Sequence, residues 1–509
     1  MTTHDSKTKY SSGGNHKFRL LPIYLMGLVW CVVLALGWSY EEPNKLATLT
    51  VLLCVFILGV GIIHWGKRVG IVHSRIDWIV AFIAKITVSF LITSLLWAAP
   101  LTRLGLLRSP DVFDGAQDSH LYDYQAVLAA EDGLANSFET LSFSWLSFGV
   151  VGYIAAIYSV FGISVLYPSM FNALMSLTGF VGLTGVIITL DRDRPGWQWL
   201  RWGMLIPFLS YYDATPAKEP LTNAFYYLTL YFIVRIIMER GALIRNVLGA
   251  MSGILVLSMV RPNVAFLLLL TNMVFLIRTT KIKGFVFIGV MITIVLGSLA
   301  FTSDIQAFLF KALFNPSKWF EVLDLNFSAR QEVGDNILKL SVGDFLVPRN
   351  LINLLMYAPI RMIIWLLLPY PFIFPDFSVL SQLPTLLTTE PINFFRIGAD
   401  LPALASTWLI IFFSPYMLAS LPLSLLKWKK QVSYGYVILF INLLIPALVI
   451  SNLMFIMGRR YRTLLEPLLL VFTIWGLCYG RPEKYIFPIY LSFFIGLVAY
   501  AVYSFGNLF

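Results

Sequence analysis

The sequence predicts an all-α, polytopic helical membrane protein of about 11 to 13 spans with two large extracytoplasmic loops. Three observations lead there. Hydrophobic residues make up 58% of the 509, charged residues only 13%, and the mean hydropathy is +0.78; a soluble chain carries about 25% charged residues. Apolar runs of about 17 to 25 residues recur along the chain, the length a helix needs to cross a hydrocarbon core that leaves no backbone polar group unpaired. Acidic residues, by contrast, crowd into one stretch, DVFDGAQDSHLYDYQAVLAAEDG, which holds Asp111, Asp114, Asp118, Asp123, Glu131 and Asp132.

The net charge of +10 would raise nucleic acid as a partner in a soluble protein. Here most Lys and Arg lie in short loops between spans, where the positive-inside bias puts them on the cytoplasmic face, so membrane lipid and not nucleic acid is the expected partner. Cys31, Cys54 and Cys478 lie in or beside apolar runs, without spacing for a disulfide or a zinc site.

Taken in order, residues 1–19 read as a disordered cytoplasmic tail without a cleavage-site pattern, and residues 20–509 as a single transmembrane domain. The first span runs from about Leu20 to Trp38 behind Lys7, Lys9, Lys17 and Arg19, which sets the N-terminus inside. The second, Leu46 to His64, returns to Lys67, Arg68 and Arg75. The third, Trp78 to Ala98, delivers the acidic stretch to the outside in a loop over 99–143.

Trp145 to Leu190 has room for two helices, broken at FGISVLYPS, followed by the basic DRDRPGWQWLR, a short apolar piece from Trp202 to Tyr212, and a span from Leu221 to Met238. Two crossings here would put Arg192, Arg194 and Arg201 outside, against the charge bias. Either one helix in this region is re-entrant or the short piece does not cross.

Val247 to Ile277, interrupted by Arg261-Pro262-Asn263 and basic at both ends, reads as a hairpin with Arg261 at its outer turn. Gly284 to Thr302 leads to a second outer loop, 303–350, long enough to cap the first. Residues 351–400 are Pro-rich and suggest interfacial or broken helices. Later spans cover about Leu401 to Leu426, Tyr434 to Met457, Leu464 to Tyr479 and Tyr485 to Val502, and this count puts Arg459, Arg460 and Arg462 on the outer face.

Cations placed against the charge bias at membrane depth call for a partner. Transfer of a sugar from a lipid-linked phosphate to an acceptor hydroxyl needs a carboxylate base for the attacking hydroxyl and cations for the departing phosphate. The acidic loop and Arg261, Arg459, Arg460 and Arg462 offer both on one side. Asp118 and Tyr122 stand four residues apart, on one helical face. Lys218 and Glu219 are either a pair in the site or a loop ion pair, and their side is open, as it is for Tyr211, Tyr212 and Asp213. A lone His120 reads as a surface residue, and the aromatic stripe Tyr226 to Phe232 as packing.

The order Asp118, Tyr122, Ala126, Leu128, Gly133 in DSHLYDYQAVLAAEDG resembles the first outer loop of the GT-C superfamily of polyprenyl-phosphate-sugar-dependent glycosyltransferases. The following run ending in VFG, Asn172 in the next helix, YYDATPAKEPL, SMVRPN and RRYRTLLEPLLL also resemble that family, over about Leu101 to Leu477. Ser119 stands where many members carry a second acid, so a divalent metal has no paired-acid motif to hold it and the cofactor is left open. The resemblance implies an extracytoplasmic, inverting transfer with Asp118 as base or acceptor-orienting group. Donor and acceptor would be a lipid-linked sugar and a glycan, lipid or protein of the cell envelope, in a bacterial inner or plasma membrane. An O-antigen-type polysaccharide polymerase and a lipid-linked-sugar transporter or flippase are the alternatives; the latter calls for inverted repeats, which the sequence does not display.

Overall fold

In the computed structural model, residues 16–37, 44–97, 118–131, 145–190, 195–238, 241–280, 289, 351–366, 391–420, 430–453, 461–479 and 481–506 are described. Among them there are helices and turns and no strand. Six helices are long and apolar enough to cross a membrane: Leu20–Gly37, Lys45–Arg68, Arg75–Ser94, Leu166–Leu190, Glu219–Ile237 and Leu243–Val260.

The direction of each helix follows from what it touches. α1 (His16–Gly37), α2 (Lys45–Arg68) and α3 (Arg75–Trp97) pack as neighbours. α4 (Asp118–Glu131) and α5 (Trp145–Phe161) precede α6 (Leu166–Leu190). Near its start α6 meets the start of α2, where Thr48 Oγ1 lies 3.5 Å from the Tyr167 hydroxyl; further on, Val181 faces Gly66 at the end of α2. The two helices are therefore parallel. We call the end of the bundle that holds Thr48 and Tyr167 the upper end, and the end that holds Gly66 the lower.

α5 does not traverse the bundle. Its first turns abut the Met259 carbonyl and Val260 through Gly149, its middle reaches Asn172 through Tyr153, and its last turns hydrogen-bond Asp123 through Tyr158. All of these partners lie at the upper end. With α4 it closes a small core of its own, in which Tyr122, Ala126, Val150, Ile154 and Tyr158 are buried.

The way back up is a broken crossing. A 3-10 helix, Pro195–Leu205, is followed by α7 (Pro207–Asp213). Arg201 pairs with Asp77 at the foot of α3 at 3.4 Å, Lys85 in mid-helix holds Met204, Ser210 and Asp213, and Thr93 near the top of α3 donates to the Ala214 carbonyl at 3.1 Å. After Arg201, four 3-10 residues at about 2.0 Å and seven α residues at about 1.5 Å give a rise of roughly 19 Å alongside α3. Within the bundle, the helix at 145–161 stays at the upper end, the stretch 202–213 runs from the lower end towards the upper, and Arg201 falls at the lower end with Arg68, Arg75 and Arg235.

The break also accounts for a lysine at 0% exposure. Pro207 removes an amide proton, and the change of helix type at Ile206 frees the Met204 carbonyl. Nζ of Lys85 donates to that carbonyl at 2.7 Å and to Ser210 Oγ at 3.1 Å, with its charge met by Asp213 Oδ2 at 2.5 Å. In hydrocarbon a freed backbone group needs such a partner.

α8 (Glu219–Ile237) runs parallel to α6 because Gly179, Gly182 and Gly185 let its backbone and Tyr231 come close. A Cβ at Gly182 would stand 2.9 Å from the Leu228 nitrogen, whereas one at Gly61 on α2 would meet nothing within 4 Å. Gly182→Ala is therefore expected to lower the thermal unfolding midpoint by several degrees, corresponding to about 1–3 kcal/mol of overpacking, and Gly61→Ala to leave it or raise it. Equal midpoints for the two variants would show that α6 and α8 do not approach this closely.

α9 (Leu243–Val260) and α10 (Pro262–Thr280) form the expected hairpin, with Arg261 as the residue between them. α11 (Leu351–Leu366), α12 (Pro391–Ser420), α13 (Lys430–Leu453), α14 (Arg462–Tyr479) and α15 (Glu483–Gly506) complete the bundle. In the region 351–400, where broken helices are expected, α11 continues through Pro359 and α12 begins at Pro391, running on through Pro402 and Pro415; residues 367–390 lie outside the described residues. Asn272 and Asn442 exchange amide hydrogen bonds at 2.9 and 3.1 Å and fix α10 against α13 in the core. The outer loop at 303–350 lies outside the described residues.

Candidate functional site

Four elements deliver charged and aromatic side chains to one corner of the upper end. α4 brings Tyr122, the turn before α8 brings Lys218 and Glu219, the α9–α10 junction brings Arg261, and the start of α14 brings Tyr461 and Arg462. These positions are separated by up to 340 residues, and no local sequence signal links them.

The contacts form three groups, linked where Lys218 precedes Glu219 and Tyr461 precedes Arg462 in the chain. Nζ of Lys218 lies 5.2 Å from the centre of the Tyr122 ring. The next residue, Glu219, accepts from Nη2 of Arg261 in an ion pair whose two side chains are both buried. The Arg261 guanidinium stacks over the Tyr461 ring, 4.3 Å from its centre, and the Tyr461 hydroxyl is held by Asn263 Nδ2 at 3.3 Å. Arg462 follows: Nε donates to Glu466 Oε1 at 3.0 Å, Nη1 donates to Thr407 Oγ1 at 2.8 Å and to the Leu366 carbonyl at 3.2 Å, and the guanidinium faces the Phe208 ring at 5.1 Å. A guanidinium is the suitable cation for such a place. It keeps its charge when desolvated, stacks on aromatic faces and presents a planar fork to phosphate or carboxylate oxygens.

Two polar atoms in this corner are buried with no hydrogen-bond partner among the described residues: Nε of Arg261 and Oε2 of Glu466. Buried polar atoms are ordinarily satisfied, so an orphan donor and an orphan acceptor in adjacent ion pairs mark where a bound group or water completes the set.

Asp118 opens α4. The described side chains of this helix begin at Leu121, so what is fixed for Asp118 is its place: one turn, about 6 Å, before Tyr122 and on the same face. Asp123, in the same helix, is held by the Tyr158 hydroxyl. Arg459 and Arg460 lie outside the described residues. The structure thus brings together Tyr122, Lys218, Glu219, Arg261 and Arg462 from the sequence-derived set, and places the helix that starts at Asp118 beside them.

Beneath the corner, the residues left open in YYDATPAKEP find their side. Tyr211 and Asp213 are buried. The Ala214 carbonyl accepts from Thr93 and from Ser169 at 3.0 Å, and the Thr215 carbonyl accepts from Asn172 Nδ2 at 2.8 Å. Two helices, α3 and α6, therefore grip the turn that presents Lys218 and Glu219. Sequence reasoning passed over Lys85, Tyr461 and Glu466. Lys85 had a readable signal, as a lone charge within an apolar span; Glu466 had another, four residues after Arg462 on one helical face.

Among the described residues, no group of three or more His, Cys, Asp or Glu side chains converges as a metal site would require. Cys31 and Cys54 are free thiols.

No protein-family model matches the chain, and no curated protein or solved structure matches it.

Proposed function

We propose that the protein is an integral membrane glycosyltransferase of the GT-C kind, which moves a sugar from a polyprenyl-phosphate donor to an extracytoplasmic hydroxyl in cell-envelope glycan assembly. One observation carries this reading: the acidic helix α4 and the Arg261 corner occupy the same end of the bundle, bridged by Lys218 against Tyr122. Sidedness follows from charge. Lys67, Arg68, Arg75, Arg201, Arg235 and Arg245 cluster at the lower end, which the positive-inside bias makes cytoplasmic, so the upper end faces outward. The six helices long and apolar enough to cross a membrane are part of the 11 to 13 spans of about 20 residues each that this reading expects.

In the proposed reaction the Asp118 carboxylate takes the proton of the acceptor hydroxyl, and the freed oxygen attacks the anomeric carbon. The bond from that carbon to the phosphate oxygen breaks, and polyprenyl phosphate leaves with the electron pair and an added negative charge. Arg261 and Lys218, with Arg459, Arg460 and Arg462, hold that charge as it develops. Displacement from the opposite face inverts the anomeric centre.

The test is transfer by the purified full chain in lipid vesicles, fed matched mono- and diphosphate-linked sugar donors. The expected result is a glycosylated acceptor from the monophosphate donor, with inverted configuration. Transfer only from a diphosphate-linked oligosaccharide would point to the polymerase instead. A second reading has its own support, because a broken crossing with a buried Lys85–Asp213 pair is a feature of transporters. Movement of the lipid-linked sugar across the vesicle without any new glycosidic bond would favour it.

A further inference from the structure

The ammonium of Lys85 has three protons and meets three oxygens, each of a different kind. They are the Met204 carbonyl at 2.7 Å, the Ser210 hydroxyl at 3.1 Å and Asp213 Oδ2 at 2.5 Å. Ser210 directs its own proton to the same Met204 carbonyl at 3.3 Å, so its oxygen offers Nζ a lone pair. From α6, the Ser176 hydroxyl donates to the Asp213 carboxylate. All of these side chains are buried. Backbone carbonyls freed where a membrane helix breaks are the groups that coordinate monovalent cations in discontinuous helices. Here such a carbonyl is joined by a serine oxygen and by one carboxylate, whose single negative charge matches a single positive one.

One oxygen beside this set is left over. Ser89 lies one turn above Lys85 on α3 and one turn below Thr93, so it stands between the contact of Lys85 with Asp213 and that of Thr93 with the Ala214 carbonyl. Ser89 Oγ is buried, its residue at 0% exposure, and has no hydrogen-bond partner among the described residues. Buried hydroxyls are ordinarily satisfied. A lysine accounts for the exception: with its three protons engaged, an ammonium cannot serve a fourth oxygen, whereas a spherical ion has no such limit. The distances of 2.5 to 3.1 Å around Nζ suit potassium, an ion of about the size of ammonium, better than the smaller sodium.

We propose that the Met204 carbonyl, Ser210, Asp213 and Ser89 form a monovalent-cation site in which Lys85 is the permanent, covalently tethered occupant. The ammonium holds the place that a potassium ion would take, and the protein needs no ion from solution to close the break at Ile206. This inference does not depend on the glycosyltransferase reading, because it concerns the bundle beneath the corner and holds for a transferase and a transporter alike.

The experiment empties the site. Lys85→Ala removes the amine and leaves room for an ion, room that a methionine would fill; Lys85→Ser does the same and adds an oxygen. The purified full chain and both variants are unfolded thermally in one detergent, in potassium chloride or in choline chloride of equal ionic strength, choline being too large to enter. The wild type is expected to unfold at the same midpoint in both salts. In the variants, potassium should raise the midpoint by several degrees, and the effect should saturate as the ion fills the site. Lys85→Ala/Asp213→Asn lacks the negative charge and should show no such rise. Equal midpoints in the two salts for both single variants would overturn the proposal, as would a potassium effect of the same size in the wild type or in Lys85→Ala/Asp213→Asn. Failure of both single variants to fold in potassium would overturn it too, since a cation site supplied with its cation should hold the break closed without the lysine.

Discussion

Arg261→Ala is expected to abolish sugar transfer and to destabilise the folded protein by about 3–5 kcal/mol, the two effects having separable causes. The stability loss comes from Glu219. Its carboxylate is buried against the Arg261 guanidinium, and removal of the cation strands a charge away from water. Stability alone would therefore say nothing about phosphate binding. Arg261→Met/Glu219→Leu removes both charges and fills the space, a change that buried pairs often tolerate with no net cost. This double variant should unfold within a few degrees of the wild type and still fail to transfer sugar. Glu219→Gln, which keeps the cation, should retain transfer to within about tenfold. Recovery of transfer together with stability in the charge-free variant would reduce Arg261 to a packing element.

The second large effect is expected at Lys85, a residue outside the proposed chemistry. Lys85→Met leaves Asp213 with no cation and the Met204 carbonyl with only the weaker Ser210 hydroxyl, which donates to it at 3.3 Å. The predicted cost is again about 3–5 kcal/mol, read as thermal unfolding in detergent. Adding Asp213→Leu should return only part of it. The charge is then gone, but the backbone carbonyl freed by the helix break still lacks its lysine, for a residual cost of about 1–3 kcal/mol. Full rescue by the double substitution would mean that the ion pair, and not the broken backbone, explains the buried lysine. Because Asp213 stands just before the turn that presents Lys218 and Glu219, transfer should fall in Lys85→Met further than the loss of folded protein accounts for.

The sequence carried the helical, membrane-spanning character of the chain because apolar runs are local. The hairpin around Arg261 was legible for the same reason: Arg-Pro-Asn between two apolar runs with basic ends has one economical arrangement. The segment from Trp145 to Tyr212 was not. Both the helix at 145–161 and the broken stretch at 195–213 are apolar, and hydropathy cannot separate a helix lying across the end of a bundle from one running through it. What separates them is contact with distant residues, such as Tyr158 with Asp123 and Arg201 with Asp77. Site residues divided along the same line. Arg261 and Arg462 stood out as cations at the wrong depth, whereas Tyr461 became a candidate only when its ring was found beneath Arg261.

The proton-transfer role of Asp118 is the claim on which the enzymatic account turns, and the single-turnover rate of Asp118→Asn tests it most directly. Wild-type and variant protein would be prepared in the same vesicles with saturating polyprenyl-phosphate sugar and acceptor, and the new glycosidic bond followed over time. Asn keeps the size of the side chain and the helix start but cannot take a proton, so the rate should fall by about 10²- to 10⁴-fold with donor binding unchanged. A variant that transfers sugar within threefold of the wild-type rate would contradict the account.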